Sequence, residues 1–151
     1  MKKIGMFFGT EAGTTRLVAK KIFRKLGEDI ADAPINVNRI APEDMLGYDA
    51  LILGTPSYGN EELPGRGAGC EESNWEEFFA RFDKMGTPDF SGTRIALFGL
   101  GAQERYAERF CGSLMRLYER FHGWGAEIVG DDWSAEGYTF THSAAVVNGR
   151  F

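Results

Sequence analysis

Ile4-Gly5-Met6-Phe7-Phe8-Gly9-Thr10-Glu11-Ala12-Gly13-Thr14-Thr15 is the stretch whose reading decides the fold. From Ile4 to Phe8 it is continuously apolar apart from Gly5, as a strand buried on both faces must be. A short Gly/Thr loop follows. The spacing then predicts a helix from about Gly13 to Leu26, with Leu17, Val18, Ile22 and Leu26 on its inner stripe. A doubly buried strand feeding a helix through a tight loop is half of a parallel β-α-β unit.

Outward from that unit the alternation continues. Ile35-Asn36-Val37 reads as a second strand and Ala50-Leu51-Ile52-Leu53 as a third, ending at Gly54-Thr55-Pro56. A polar, Gly-rich segment (61–69) precedes an amphipathic helix starting near Ser73, whose Trp75, Phe78, Phe79 and Phe82 make a core stripe. Ile95-Ala96-Leu97-Phe98 is a fourth strand running into Gly99-Leu100-Gly101. A long helix follows with Phe110, Leu114, Leu117 and Phe121 on one face, and Ile128-Val129 begins a fifth strand. Strands alternating with helices of this length imply one α/β domain over residues 1–151 with an open, doubly wound parallel sheet. After Gly130 no helical period remains, and Asp131 to Phe151 reads as an irregular excursion with short strands.

Composition narrows the function. The chain has 151 residues and a formal net charge of -5, which argues against nucleic acid, because neutralising phosphates needs a basic surface. The same charge suits a partner with a basic docking face. No window reaches the ~18 apolar residues of a membrane span, and the N-terminal apolar run is too short for a signal peptide. A cytoplasmic location is expected. Cys70 and Cys111 form no metal-type or redox spacing and read as reduced thiols without a role. No metal site is expected.

Ligands of open α/β sheets bind beyond the carboxyl ends of the strands, at the point where the strand order reverses. Three loops leave such ends. The first, Gly9 to Thr15, offers hydroxyls and the N–H groups of a helix start, which together suit a phosphate. Simple N-capping by Thr14 or Thr15 is the competing reading. The absence of Gly-Lys-Ser/Thr excludes a Walker-type site. The second loop, Gly54-Thr55-Pro56-Ser57-Tyr58-Gly59-Asn60, places a tyrosine where it could cover a flat heterocycle, beside a glycine whose next peptide can reorient. The third, Gly99-Leu100-Gly101-Ala102-Gln103-Glu104-Arg105-Tyr106, offers close backbone approach and a second aromatic. One phosphate-like and two aromatic loops suggest a phosphorylated planar cofactor.

With those residues in view, the chain resembles the flavodoxins. Thr10, Gly13 and Thr15 match the family's phosphate signature, Thr/Ser-x-Thr-Gly-x-Thr. Leu-Gly-Thr-Pro-Ser-Tyr-Gly, Glu-Leu-Pro-Gly, Trp-Glu-Glu-Phe, Asp-Phe-Ser-Gly, Ala-Leu-Phe-Gly-Leu-Gly, Gly137-Tyr138 and the closing Ala-Val-Val-Asn-Gly-Arg-Phe follow in family order. The likeness looks strongest to the long-chain type associated with bacterial nitrogen fixation. It implies strand order 2-1-3-4-5 and a non-covalently bound FMN. The site it implies comprises Thr10, Glu11, Ala12, Gly13, Thr14 and Thr15 for the phosphate. Thr55, Pro56, Ser57, Tyr58, Gly59 and Asn60 in loop two would hold the ring with Gly99, Leu100, Gly101, Gln103 and Tyr106 in loop three, the ring lying between Tyr58 and Tyr106.

The implied function is a low-potential carrier of single electrons between a reductase and an acceptor enzyme such as nitrogenase reductase. It needs no catalytic residue of its own; His122 and His142 lie outside the three loops. The resemblance also implies that the Gly59–Asn60 peptide turns its carbonyl toward flavin N5 when the first electron arrives. Three residues depart from the family: Ala12 for a hydroxyl, Ala102 for an aspartate and Arg105 for a small residue. In long-chain members the fifth strand resumes near Phe151 and a terminal helix follows, so either a C-terminally truncated chain or one that covers that sheet face in another way is expected. The alternatives are an FMN-dependent reductase, whose substrate pocket Tyr106 would obstruct, and a fragment that binds FMN weakly. A receiver-type phosphate sensor fails because Phe7-Phe8-Gly9 lacks the clustered acids it needs.

Overall fold

In the computed structural model, which describes residues 3–10, 13–56, 64–66, 70, 73–100 and 112–129, the opening strand β1 (Gly5–Phe8) is buried along its whole length. It leads into α1 (Thr14–Leu26), then β2 (Ile35–Asn36), a 3-10 turn (Val37–Arg39) and the short α2 (Glu43–Leu46). β3 (Ala50–Pro56), α3 (Trp75–Met85), β4 (Arg94–Leu100), α4 (Gly112–Gly123) and β5 (Glu127–Val129) complete the order. All pairings are parallel, and the sheet runs β2-β1-β3-β4-β5. The doubly wound sheet and the strand order are as the sequence and the resemblance led us to expect.

The period-two alternation of the strands divides the apolar side chains between two layers. Phe7, Leu51, Leu53 and Ile95 join Trp75, Phe78, Phe79 and Phe82 of α3 and Leu117 and Phe121 of α4 in one buried cluster. Phe90 and Trp124, just before β4 and just after α4, close it. The rings meet mostly edge-on, with Phe78 and Phe82 5.0 Å apart and Phe90 and Phe121 5.2 Å apart, an arrangement worth about 0.5–1.5 kcal/mol per pair beyond area burial. Met6 and Phe8 point to the opposite face, which α1 covers, and both are buried.

Several local expectations need correction. Leu17 is 60% exposed; the buried residues of α1 are Thr15 and Ala19, with Ile22 and Leu26 half-buried below them. At 100° per residue Leu17 stands almost opposite Thr15, so the helix is turned to put its small residues against the sheet. Val37 leaves β2 for the 3-10 turn, where the Asn36 side chain accepts the Asn38 N–H at 3.1 Å. α2 was not foreseen, being four residues with no periodic stripe. β3 extends through Gly54-Thr55-Pro56, and β4 through Gly99-Leu100, because the two strands stay in register to Pro56↔Leu100. Phe110 of the α4 stripe lies outside the described residues.

Candidate functional site: the carboxyl end of the sheet

The sheet order places β1, β3 and β4 side by side, so the three loops singled out in the sequence leave neighbouring strands at one end. Between β1 and β3 the chain order reverses, which is where such sheets take ligands. Thr55 pairs with Gly99 and Pro56 with Leu100. Loops two and three therefore begin at the same height, and their first residues are sheet rather than loop. Thr55 is fully buried, its hydroxyl donating to the Pro56 carbonyl at 2.9 Å. Gly99 lies beneath Leu114 of α4: a Cβ there would stand 3.2 Å from Leu114 Cβ, a tight contact that the leucine would have to relieve. Of the remaining expected residues, Glu11, Ala12, Ser57, Tyr58, Gly59, Asn60, Gly101, Gln103 and Tyr106 lie outside the described residues, as do Ala102 and Arg105.

Loop one shows its geometry on both sides of that gap. The Thr10 hydroxyl accepts the Gly13 N–H at 2.9 Å, which leaves its own proton to donate elsewhere. Gly13 stands at the N-cap of α1 with φ 92°, a left-handed conformation that disfavours any side chain. No side chain caps α1, and its first turn holds no acid. Neither Thr14 nor Thr15 is an N-cap; both are inside the helix, Thr15 buried and Thr14 exposed. The first helical bond runs from Leu17 N–H to the Gly13 carbonyl at 3.2 Å, which puts the N–H groups of Thr14, Thr15 and Arg16 outside the helical ladder. Orphan amides, a positive helix end and a hydroxyl make up the donor set of an anion site. The residues present thus fit a phosphate.

A further group, which sequence reasoning passed over, fastens this end of the sheet. The indole N–H of Trp75 donates to the Gly54 carbonyl at 2.8 Å, and the Gly9 N–H donates to the same oxygen at 3.0 Å. Asn74, 2% exposed, caps α3 through Oδ1 to the Trp75 N–H at 2.9 Å. The Glu77 carboxylate completes the capping box by accepting the Asn74 N–H at 3.2 Å and also takes the Arg66 N–H at 2.7 Å. Asn74 Nδ2 donates to the Thr10 carbonyl at 3.1 Å. Gly9 makes this approach possible, since a Cβ there would collide with the Asn74 side chain. The signal was present in Asn74-Trp75-Glu76-Glu77, an Asn followed three residues later by Glu at a helix start.

Among the described residues no group of His, Cys, Asp or Glu could hold a metal. His122 is exposed in the last turn of α4, stacked on Tyr118 at 5.2 Å, far along the chain from the three loops. Cys70 is buried. No helix among the described residues is long and apolar enough to cross a membrane.

A switch-point site with a phosphate-ready first loop on a five-stranded parallel sheet defines a nucleotide-type cofactor carrier of the doubly wound class. The flavodoxin family model matches residues 6–146. A flavodoxin of Klebsiella pneumoniae is 43% identical over 151 residues, covering 100% of this chain and 83% of that protein. The crystal structure of Fusobacterium nucleatum flavodoxin bound to flavin mononucleotide superposes with a TM-score of 0.81 at 29% identity, over 100% of this chain and 82% of that one. The chain belongs to the flavodoxin family, and like its relatives it is a low-potential electron carrier between redox proteins rather than a catalyst.

The expected long-chain subtype is corrected. A short-chain flavodoxin associated with a bacterial microcompartment superposes with a TM-score of 0.68 at 18% identity, over 85% of this chain and 79% of that one, so the fold is not particular to the long-chain type and the expectation of that type falls. The physical reason is that those quoted motifs that fall on described residues lie in or beside the common core elements, Gly54-Thr55-Pro56 in β3, Trp75-Glu76-Glu77-Phe78 in α3 and Ala96 to Leu100 in β4, rather than in a segment peculiar to one subtype. The distinguishing interruption of the fifth strand would fall after Val129, outside the described residues.

Proposed function

We propose that the three loops hold one FMN, and that Thr10, Glu11, Ala12, Gly13, Thr14 and Thr15 receive its phosphate. Tyr58 and Tyr106 would hold the ring system between them, together with Thr55, Pro56, Ser57, Gly59 and Asn60 of loop two and Gly99, Leu100, Gly101 and Gln103 of loop three. The observation that carries this reading is the uncapped start of α1 beside the Thr10–Gly13 turn. When bound, FMN supplies the one-electron chemistry that no side chain can. The protein's residues orient it, exclude water from both ring faces and set its potential. Gly59 lets its peptide present either a carbonyl or an N–H toward flavin N5. Glu61 and Glu62, which follow Asn60 in the sequence, would oppose added negative charge on a ring held by loop two. The protein works in the cytoplasm, between a reductase and an acceptor enzyme such as nitrogenase reductase.

The test is binding. The parent apoprotein is expected to take FMN far more tightly than riboflavin, and Thr15→Val to weaken FMN while leaving riboflavin nearly unchanged. Equal affinity for the two flavins in the parent overturns the phosphate assignment. A colourless protein that acquires no flavin spectrum on titration overturns the function.

A further inference from the structure

Asn74 makes two bonds of opposite polarity from one buried amide. Its oxygen accepts from the Trp75 N–H at 2.9 Å and so caps α3; its nitrogen donates to the Thr10 carbonyl at 3.1 Å. The side chains usual at a helix start, Ser, Thr and Asp, can do the first. Only an amide supplies an acceptor and a donor at that reach. The second bond is not needed by α3, whose N-terminus is already served by Oδ1 and by the Glu77 carboxylate. It acts on the residue whose hydroxyl organises the turn to Gly13, across 64 residues of sequence. Gly9, which precedes Thr10, has no side chain to hold the two segments apart.

We propose that Asn74 is a positioning residue for the phosphate loop. By holding the Thr10 carbonyl it fixes the direction of the Thr10 hydroxyl, and through the Thr10–Gly13 bond it fixes the entry into α1, whose free N–H groups face the anion. The selectivity of the site for a phosphorylated over an unphosphorylated flavin thus depends on a side chain that touches neither phosphate nor ring. This rests on the assignment of loop one to the FMN phosphate. The effect belongs to the phosphate end, since the bond to Thr10 serves loop one only, while the tie to loop two runs through the cap on Trp75, whose indole holds the Gly54 carbonyl, and that cap is kept in the variants below.

The test compares Kd for FMN and for riboflavin on the full-length apoprotein and on two variants that keep the helix cap. Asn74→Ser keeps a capping oxygen but reaches no further. Asn74→Asp keeps the cap and sets an acceptor against the Thr10 carbonyl. FMN binding is expected to weaken about three- to ten-fold in Asn74→Ser, the loss of one hydrogen bond, and more in Asn74→Asp, whose charge also opposes the phosphate. Riboflavin binding should change less than about two-fold. The ratio of the two constants is read on one preparation, so a general loss of stability raises both and leaves the ratio unmoved. A preserved ratio in both variants overturns the role of Asn74 while leaving the phosphate assignment standing. A parent with no preference for FMN overturns the assignment itself, and the proposal with it.

Discussion

At the scale of single residues, Tyr48 shows how a polar group is made to serve a buried strand. Its ring packs edge-on against Phe7 at 5.8 Å, and its hydroxyl donates to Asp32 Oδ2 at 2.8 Å. Asp32 in turn donates its N–H to the Ile4 carbonyl at 2.9 Å, where β1 begins. Burial, then the Asp32 bond and charge, then the charge of Asp44, push the phenol up from 10.0 to about 12. A raised folded-state pKa means that the folded protein holds this proton more tightly than the unfolded chain. Its contribution is complete below pH 10 and is lost as pH rises toward 12. Urea midpoints measured across that window should fall more steeply in the parent than in Tyr48→Phe. Parallel curves would show that the phenol titrates normally. Sequence marks Tyr48 only as an aromatic near β3; its partner is 16 residues away, and no local pattern announces the pair.

At the scale of elements, α1 is the clearest case of a helix whose existence is legible while its orientation is not. Several apolar residues lie around it, and the widest stripe by hydropathy includes Leu17. The sheet face beside it carries Met6 and Phe8, and these large side chains leave room only for Thr15 and Ala19. Leu17→Lys should therefore move stability by no more than about 0.5 kcal/mol, as an exposed substitution does. Ala19→Leu should cost about 1–3 kcal/mol by overpacking. Urea unfolding monitored by circular dichroism checks both, and a large loss in Leu17→Lys would show that Leu17 is covered in solution. By contrast the stripe of α3 was legible without ambiguity. Trp75, Phe78, Phe79 and Phe82 are all buried, because four aromatics at helical spacing leave no other face to bury. α2 was illegible for the opposite reason: four residues cannot display a period, and what anchors it is Met45, buried in the core cluster, with the chain just ahead of it also held by α3. Arg81 of α3 donates to the Ile40 carbonyl at 3.1 Å and lies over the Phe78 ring at 5.4 Å.

At the scale of the whole molecule, the α3–α4 layer is a single aromatic cluster, with Phe121 and Trp124 at its centre. Phe121 meets Trp75, Phe79, Phe90 and Trp124, all at 5.2–6.3 Å between ring centroids. Phe121→Ala should cost about 3–5 kcal/mol, a large part of the ~5–15 kcal/mol that keeps a domain folded. Thermal melting of the apoprotein checks this, and a loss below about 1 kcal/mol would mean that neighbouring rings close the cavity. The ion pair of Arg120 with Asp83 at 2.9 Å lies on the exposed rim of the same layer and should add about 1 kcal/mol at most. Net charge acts at this scale too. With -5 overall, the rate of electron transfer with a basic redox partner should fall as ionic strength rises past about 0.1 M, where the Debye length shrinks to about 10 Å. A rate independent of salt would remove charge steering from the account.

The sequence by itself determined the alternation of strands and helices, the parallel sheet and the three loops that leave the carboxyl ends of β1, β3 and β4. Each of these is a local matter of apolar period, glycine and hydroxyl placement, or motif, and each is decided within a dozen or so residues. The tertiary structure alone decided which face of α1 is buried, how far β3 and β4 run before they release their loops, and that Asn74 of α3 holds Thr10 of loop one. Those features depend on what a neighbouring segment distant in sequence presents: large side chains on one sheet face, a parallel partner in register to Leu100, and a Gly9 that admits a buried amide. A contact across 64 residues leaves no period in the chain, because it is set by where two separately determined elements are brought to lie.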